Sequence, residues 1–335
     1  MNVSEIIRYH GYPCEEYEVT TEDGYILAVF RIPSGRNMQN TGQKPAVFLQ
    51  HAFLGDATHW ISNLPNNSLG FILADAGYDV WLGNSRGNTW SSKHKTLKTS
   101  QKEFWQFSFD EMGKYDIPAE LYFIMNKTEQ KDVYYVGHSE GTASGFIAFS
   151  TYPELAERIK VFFALGPVTT CTHATSPLMK IANLPPALLR VCLFSSSEAQ
   201  CPSYPSRVPQ PKPKCFQRGE MLGMNKSRTD ALVAHSPAGT SVQNIIHWHQ
   251  GSPQVLVLGN YPTPLLTQIS TPIAVWSGGQ DKFAGPKDIA KLLSQITNLC
   301  YHKHFPEWGH LDFIWGLDAT ERMYQKIIEL IIKYL

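Results

Sequence analysis

The stretch Asp132-Val-Tyr-Tyr-Val-Gly-His-Ser-Glu-Gly-Thr-Ala-Ser-Gly-Phe146 decides the fold of this chain. β-prone residues from Val133 to Val136 lead directly into Gly137-His-Ser-Glu-Gly141, and a predicted helix with several small residues follows. A strand, a Gly-x-Ser-x-Gly pentapeptide and a helix, in this order, are typical of a nucleophile elbow. Glycines are expected beside the serine because the tight turn leaves no room for side chains. The stretch therefore predicts Ser139 as a catalytic nucleophile.

Strands and helices alternate along most of the chain. A hairpin is predicted over Glu18–Phe30, with its turn at Asp23-Gly24. The predicted core strands, which read as continuous apolar runs, are Ala46–His51, Tyr78–Leu82, Val133–Val136, Lys160–Leu165 and Pro272–Trp276. The predicted helices are Ser68–Ala76, Asp110–Asn126, Pro286–Ile296 and Ala319–Leu335. This alternation predicts an α/β-hydrolase fold, a mostly parallel sheet with helices on both faces.

The alternation stops between Pro167 and about Thr271, which predicts an insertion over one edge of the sheet. The segment 201–214 has five prolines in fourteen residues, a composition incompatible with a helix or a central strand. We therefore expect a core of residues 1–166 and 272–335 and an inserted cap of residues 167–271. Within the cap, residues 181–224 are predicted to be extended or disordered.

A second serine also fits the elbow pattern. Gly83-Asn-Ser-Arg-Gly87 follows a predicted strand, so the motif alone does not decide between Ser85 and Ser139. The residues after it, Asn88–Lys95, show no apolar helical period, and Arg86 would place a cation beside the nucleophile. These two observations favour Ser139.

A serine hydroxyl needs a base that takes its proton and an acid that orients the base. On this fold the chain order is serine, acid, histidine, with each residue on a loop after a strand. Asp281 lies on a glycine-rich turn after the Pro272–Trp276 strand, and His310 lies on the last such loop. Asp288 falls in a predicted helix and Asp312 is too close in sequence to His310. Asp281 and His310 are therefore the predicted acid and base.

The oxyanion formed during attack needs preorganised N–H donors. One is expected from the backbone of Glu140, the residue after the nucleophile. The other is expected from the loop His51–Gly55, at the backbone of Phe53.

Composition describes a globular protein with 43% hydrophobic and 17% charged residues. Lys+Arg and Asp+Glu are both 29, so no global charge favours nucleic acid as a partner. No apolar run reaches the roughly 18 residues of a membrane span. Six cysteines without a Cys-x-x-Cys pair, and His247-x-His249 without a third ligand, predict neither a metal nor a cofactor. Oligomeric state and disulfide pairing do not follow from the sequence.

Two observations point to different compartments. Residues 1–10 have no apolar core of the kind that a secretory signal requires, which favours the cytoplasm if Met1 is the true start. Glycosylation sequons would instead suit a secreted glycoprotein, and they occur at Asn2, Asn66, Asn126 and Asn225.

Several stretches together resemble one family. They are Leu49-Gln-His51, Asn63–Ser68, Ala74–Trp90, Phe109-Asp-Glu-Met112, the elbow, His235–Asn244, Trp276-Ser-Gly-Gly279 and His310–Trp315. The chain is similar to the animal acid lipases, the gastric and lysosomal group, over roughly residues 4–180, 226–250 and 270–333. The resemblance implies hydrolysis of triacylglycerols or sterol esters by Ser139, Asp281 and His310. It also implies a structural role for the loop 83–87 and export to an acidic lumen.

The chain departs from the family pattern at the elbow, in the oxyanion loop and in the cap. Glu140 and Ala52 stand where the family usually has Gln and Gly, and 181–224 bears little likeness to the family cap. The segment between Trp248 and Thr271 is also shorter than expected. The altered cap leaves two alternatives to a lipase open: a short-chain carboxylesterase, or a catalytically impaired relative.

The two substitutions near the serine carry separate expectations. An ionised Glu140 about 6 Å from the oxyanion would oppose it by about 3 kcal/mol at an effective dielectric near 20. Activity would then be shifted to acid pH; the alternative is that Glu140 faces solvent or pairs with a cation. Ala52 would disturb the oxyanion loop if its position requires a positive φ.

Overall fold

The computed structural model describes residues 1–36, 42–170, 172–176, 232, 234–250 and 263–335. The segment 181–224, predicted to be extended or disordered, lies outside the described residues. Residues 251–262, in the segment between Trp248 and Thr271 that is shorter than the family pattern, also lie outside them. The division into a core and a cap of residues 167–271 stays a prediction.

One mixed sheet runs through the described residues. Its strands are β1 (Glu15–Thr20), β2 (Tyr25–Ile32), β3 (Ala46–Gln50), β4 (Asp79–Leu82), β5 (Lys93–His94), β6 (Val133–His138), β7 (Ile159–Leu165), β8 (Ile273–Gly278) and β9 (Leu299–Phe305). The strand order is β1-β2-β4-β3-β6-β7-β8-β9, and β5 pairs with β2. Pairing is parallel from β4 to β9, whereas β2 pairs antiparallel with β1, β4 and β5. The predicted hairpin and the mostly parallel sheet are confirmed.

Helices lie between the strands, as the alternation predicted. They are α1 (Val3–Tyr9), α2 (Leu69–Asp75), α3 (Ile117–Thr128), α4 (Glu140–Thr151), α5 (Pro153–Ala156), α6 (Val242–Gln250), α7 (Pro286–Gln295), α8 (Asp312–Trp315) and α9 (Gln325–Lys333). Two predicted helices are not continuous α-helices. A π-helical turn at Met112–Asp116 precedes α3, and another at Thr320–Tyr324 precedes α9. Neither π turn shows in the apolar period.

The sheet is apolar on both faces because successive side chains of a strand point to opposite sides. Phe48, Tyr135 and Phe162 belong to one buried cluster, with residues of α3, α4 and α7. Their chain neighbours Tyr134 and Phe163 belong to a second, with residues of α1, α2 and α9. This double burial explains the continuous apolar runs. Because β3, β6, β7, β8 and β9 run parallel, the carboxyl ends of β3, β6, β8 and β9 lie at one edge of the sheet.

Candidate active site

The elbow turns within a single residue. Strand β6 ends at His138, α4 begins at Glu140, and Ser139 between them has φ 55° and ψ −116°. A non-glycine residue with positive φ is strained, and such strain persists only when the surroundings enforce it. Here the packing does so: a Cβ on Gly141 would lie 2.5 Å from the carbonyl oxygen of Gln50. The end of β3 and the start of α4 thus approach too closely for any residue other than glycine at position 141.

The three side chains predicted for the catalytic set lie together at this edge. Ser139 Oγ is 2.7 Å from His310 Nε2, and His310 Nδ1 is 2.8 Å from Asp281 Oδ2. The other oxygen of Asp281 accepts the backbone N–H groups of Phe283 at 2.9 Å and Ala284 at 2.8 Å. Because the carboxylate accepts a hydrogen bond from Nδ1–H, Nε2 is left with a lone pair directed at the serine hydroxyl.

The two alternative acids are held elsewhere. Asp288 accepts hydrogen bonds from the hydroxyl of Thr170 at 3.0 Å and from Nδ1 of His173 at 2.9 Å, so it holds these two residues against α7. Asp312 Oδ2 accepts the backbone N–H of Gly309 at 2.7 Å. Nδ1 of His310 thus faces Asp281, the acid that sequence order had favoured.

Ser85 lies in a different environment. Its hydroxyl accepts a hydrogen bond from Gln50 Nε2 at 2.8 Å. The next residue, Arg86, is buried and paired with Asp116 at 2.7 Å and Asp23 at 2.5 Å. An amide donor stands where a nucleophile would need a base, and these contacts fit a structural loop.

The predicted oxyanion loop follows β3 and is held by a histidine. His51 Nδ1 donates to the carbonyl of Ala52 at 2.8 Å, and its Nε2 accepts the backbone N–H of Ser85 at 3.0 Å. Among the described residues, positive φ in this loop falls on Leu54, at 59°, and not on Ala52. The condition under which Ala52 was expected to disturb the loop, a positive φ, is therefore not met. The N–H groups of Phe53 and Glu140 stay the predicted oxyanion donors.

The Glu140 side chain does not face solvent, and among the described residues it pairs with no cation, so that alternative is wrong there. It is 3% exposed, and its Oε2 accepts Asn244 Nδ2 at 2.7 Å and Trp248 Nε1 at 2.5 Å. Burial raises the pKa of this carboxyl to about 7, against the opposing effect of these two hydrogen bonds. Sequence reasoning missed both partners. Their spacing of four residues on α6 was the available signal, since it places them on one helix face.

A second set of contacts missed from the sequence supports the His310 loop. His138 Nε2 donates to the backbone carbonyl of His310 at 2.8 Å, and His138 Nδ1 lies 2.8 Å from His59 Nε2. Burial lowers the pKa of both His59 and His138 well below the ordinary value. His138 therefore fastens the loop of the predicted base from beneath the elbow.

The other histidines singled out in the sequence have structural contacts. His247 Nδ1 is 3.0 Å from Ser108 Oγ, and its ring stacks on Phe109 with centroids 4.3 Å apart. The side chain of His249 lies outside the described residues. His302 and His304 lie on β9, and both contact the Ser277 hydroxyl.

Comparison with known proteins gives consistent family matches. Residues 45–317 match the family described as alpha/beta hydrolase fold, and residues 3–64 match a partial alpha/beta-hydrolase lipase region. Lipase member M of Mus musculus is 53% identical, with 98% of this chain and 85% of the relative covered. Lysosomal acid lipase/cholesteryl ester hydrolase of Homo sapiens is 52% identical, with 100% of this chain and 91% of the relative covered.

Solved structures agree on the fold. A soluble variant of monoglyceride lipase from Saccharomyces cerevisiae has a TM-score of 0.61 at 16% identity, with 96% of each chain covered. Fold, family match and relatives define the class, an ester hydrolase of the α/β-hydrolase fold. The chain belongs to the animal acid lipase family. Within the described part of the chain, every helix is too short or too polar to cross a membrane.

Proposed function

We propose that this protein hydrolyses carboxylic esters of lipids, triacylglycerols or sterol esters, at a lipid–water interface. Ser139 is the nucleophile, His310 the general base and Asp281 the acid that orients it. The observation that carries the proposal is the hydrogen-bonded series from Ser139 Oγ through His310 to Asp281, at 2.7 and 2.8 Å, on a strained elbow. Strain of this kind is found where a side chain must be held in a reactive position.

The chemistry runs in two halves. His310 Nε2 takes the hydroxyl proton of Ser139 as Oγ attacks the ester carbonyl, and the backbone N–H groups of Phe53 and Glu140 stabilise the oxyanion. The intermediate collapses to an acyl-enzyme, and the imidazolium of His310 gives its proton to the departing alcohol. Water, deprotonated by the same imidazole, then attacks the acyl-enzyme and releases the fatty acid.

The relatives support the lipid as substrate. The human relative that is 52% identical is named a lysosomal acid lipase and cholesteryl ester hydrolase. A short-chain esterase would share the same catalytic residues, so chain length separates the two functions. We expect activity to rise from butyrate to oleate esters and to extend to trioleoylglycerol and cholesteryl oleate.

Covalent labelling with a fluorophosphonate is the first test, because it reports the activated serine independently of the substrate. The full-length protein should be labelled at Ser139, the Ser139→Ala variant should not, and Ser85→Ala should be labelled like the wild type. Absence of labelling, or labelling that survives Ser139→Ala, contradicts the assignment. Labelling with hydrolysis restricted to short esters keeps the mechanism and rejects the lipid substrate.

A further inference from the structure

One buried carboxyl group joins the cap helix to the elbow. Glu140 supplies the backbone N–H proposed for the oxyanion, and its side chain receives both donors from α6. Asn244 and Trp248 are four residues apart, so one face of α6 presents both N–H groups to one carboxyl. The residue beside the nucleophile is thus a direct contact between catalytic centre and cap.

The two donors are themselves held in place. Asn244 Oδ1 accepts the backbone N–H of Phe109 at 2.8 Å, and its Nδ2 also donates to Thr240 Oγ1 at 3.0 Å. The ring of Trp248 packs against Phe109 with centroids 4.4 Å apart. Ser241 Oγ donates to the carbonyl of Phe107, which fixes the start of the same helix. The donors are therefore directed at the Glu140 carboxyl, which adds the contact between α6 and the elbow.

A neutral Glu140 carboxyl can accept both hydrogen bonds from α6. Both donors go to the same oxygen, Oε2, and a carbonyl oxygen with two lone pairs can accept both. Neither donor is a cation, so an ionised Glu140 would be a buried charge with only neutral partners. A protonated carboxyl offers the same carbonyl oxygen without that charge.

Acidic and basic side chains both lie on the elements around α4. The elements packed against α4 carry Asp110, Glu111, Lys114, Asp116, Glu120, Lys127, His138 and Glu154, while His247 lies on α6 and the site itself holds His310. Asp116 is paired with Arg86, so that cation is already engaged. His310 becomes cationic during the reaction, which offsets part of the repulsion between an ionised Glu140 and the oxyanion.

We propose that Glu140 is a positioning residue that acts in its protonated form. Its neutral carboxyl fixes cap helix α6 against the elbow and leaves the adjacent N–H free to stabilise the oxyanion. Ionisation adds a negative charge beside the developing oxyanion and lowers the rate. This inference rests on the proposed ester hydrolysis, and it assigns to the cap a role in catalysis besides substrate binding.

The test is a pair of pH profiles of kcat on a soluble ester. We expect kcat of the wild type to fall about tenfold or more as the pH rises through about 7, where the pKa of Glu140 lies. Glu140→Gln keeps a carbonyl oxygen for both donors but cannot ionise, so its kcat should show no such fall. Glu120→Gln, which removes another buried carboxyl, on α3, is the matched control and should retain the fall.

A third variant distinguishes positioning from simple packing. Trp248→Phe keeps the ring and removes the N–H, and this hydrogen bond lowers the pKa of Glu140. Its loss should raise that pKa, so the fall in kcat should move to higher pH. A purely structural Glu140 would leave the midpoint in place.

Titration of Glu140 by carboxyl ¹³C NMR gives a readout that needs no activity. The resonance, assigned by its absence in Glu140→Gln, should titrate near pH 7 and higher in Trp248→Phe. Titration near pH 4.5, or coincident pH profiles for wild type and Glu140→Gln, overturns the inference. Failure of the proposed function would look different, because Ser139 would then resist the fluorophosphonate in every variant.

Discussion

Two pentapeptides of the same pattern, residues 83–87 and 137–141, lie in different environments in this molecule. Ser139 has a positive φ of 55°, whereas Ser85 is absent from the described non-glycine residues with positive φ. An imidazole nitrogen lies 2.7 Å from one hydroxyl, and an amide nitrogen donates to the other at 2.8 Å. A Gly-x-Ser-x-Gly motif therefore describes only a turn, and distant residues decide whether its serine can react.

The residue after each serine sharpens the contrast. Arg86 is buried with two carboxylates and keeps its charge, because each partner compensates its desolvation. Glu140 is buried with two neutral donors, and burial raises its pKa to about 7. One loop is held by an ion pair and the other by a neutral network. The charge state of the elbow is thus sensitive to pH in a range where Arg86 does not titrate.

The first and largest test replaces each serine with alanine. Ser139→Ala should lower kcat by about a million-fold, because the covalent step loses its nucleophile. Ser85→Ala, the matched control, removes one hydrogen bond and should leave kcat within about threefold. Steady-state hydrolysis of a soluble ester measures both. Comparable losses in the two variants would remove the distinction between the loops.

The second test neutralises one carboxylate beside each loop. Asp281→Asn should lower kcat by about ten-thousandfold, since an amide no longer selects the imidazole form that accepts the serine proton. Asp116→Asn should instead lower the free energy of unfolding by about 3 kcal/mol, because it deprives the buried Arg86 of one partner. Denaturant unfolding and kcat of the folded fraction separate the two effects. A loss of kcat in Asp116→Asn at full folding would contradict the structural role.

The third test follows stability with pH. The pKa of Glu140 is about 7 in the folded chain against 4.5 for a free glutamate. A carboxyl group whose pKa is higher in the folded state than in the unfolded state favours folding while it is neutral. Its contribution to stability is therefore fully present below pH 4.5 and is lost as the pH rises to 7. The loss is about 3 kcal/mol in the free energy of unfolding. The difference in the free energy of unfolding between wild type and Glu140→Gln, measured in urea at pH 4.5 and 7.5, isolates this loss. A difference that does not change with pH contradicts a buried neutral Glu140.

The smallest effect is expected at His51, which joins the loop 83–87 to the predicted oxyanion loop 51–55. His51 donates to Ala52 in the oxyanion loop and accepts the N–H of Ser85. His51→Leu leaves that buried N–H without its partner and loosens the loop, which should lower kcat about tenfold with little change in KM. His51→Gln can keep the acceptor and should recover part of the loss. Unchanged kcat in His51→Leu would show that the loops act independently.

Fold and predicted triad followed from the sequence because both depend on order along the chain. Buried strands are continuous apolar runs, and a parallel sheet brings the loops after β6, β8 and β9 to one edge. From that order Asp281 and His310 could be named without coordinates. The π turn at Met112–Asp116 could not be predicted, because one extra residue in a helical turn leaves the surrounding apolar pattern almost unchanged.

The partners of Glu140 were beyond sequence reasoning for another reason. Asn244 and Trp248 are 104 and 108 positions away, and they reach the elbow only because α6 packs on the Phe109 segment. The same holds for His59, which meets His138 across 79 positions. Such contacts depend on how elements pack: the four-residue spacing places Asn244 and Trp248 on one helix face, but no local period encodes which residue that face meets. Of the two alternatives for Glu140, exposure to solvent was therefore wrong.

The histidine pair beneath the elbow has a chemical consequence for turnover. Every hydrolysed ester leaves an alcohol and a carboxylic acid, and ionisation of that acid releases a proton next to the His310 loop. His138 Nε2 holds that loop by donating to the carbonyl of His310. Its Nδ1 must stay unprotonated to accept the N–H of His59. Burial holds both rings neutral, so neither of them takes up the proton that His310 is predicted to transfer. The hydrogen bond by which His138 holds the His310 loop is thus unaffected by the acid that the reaction produces.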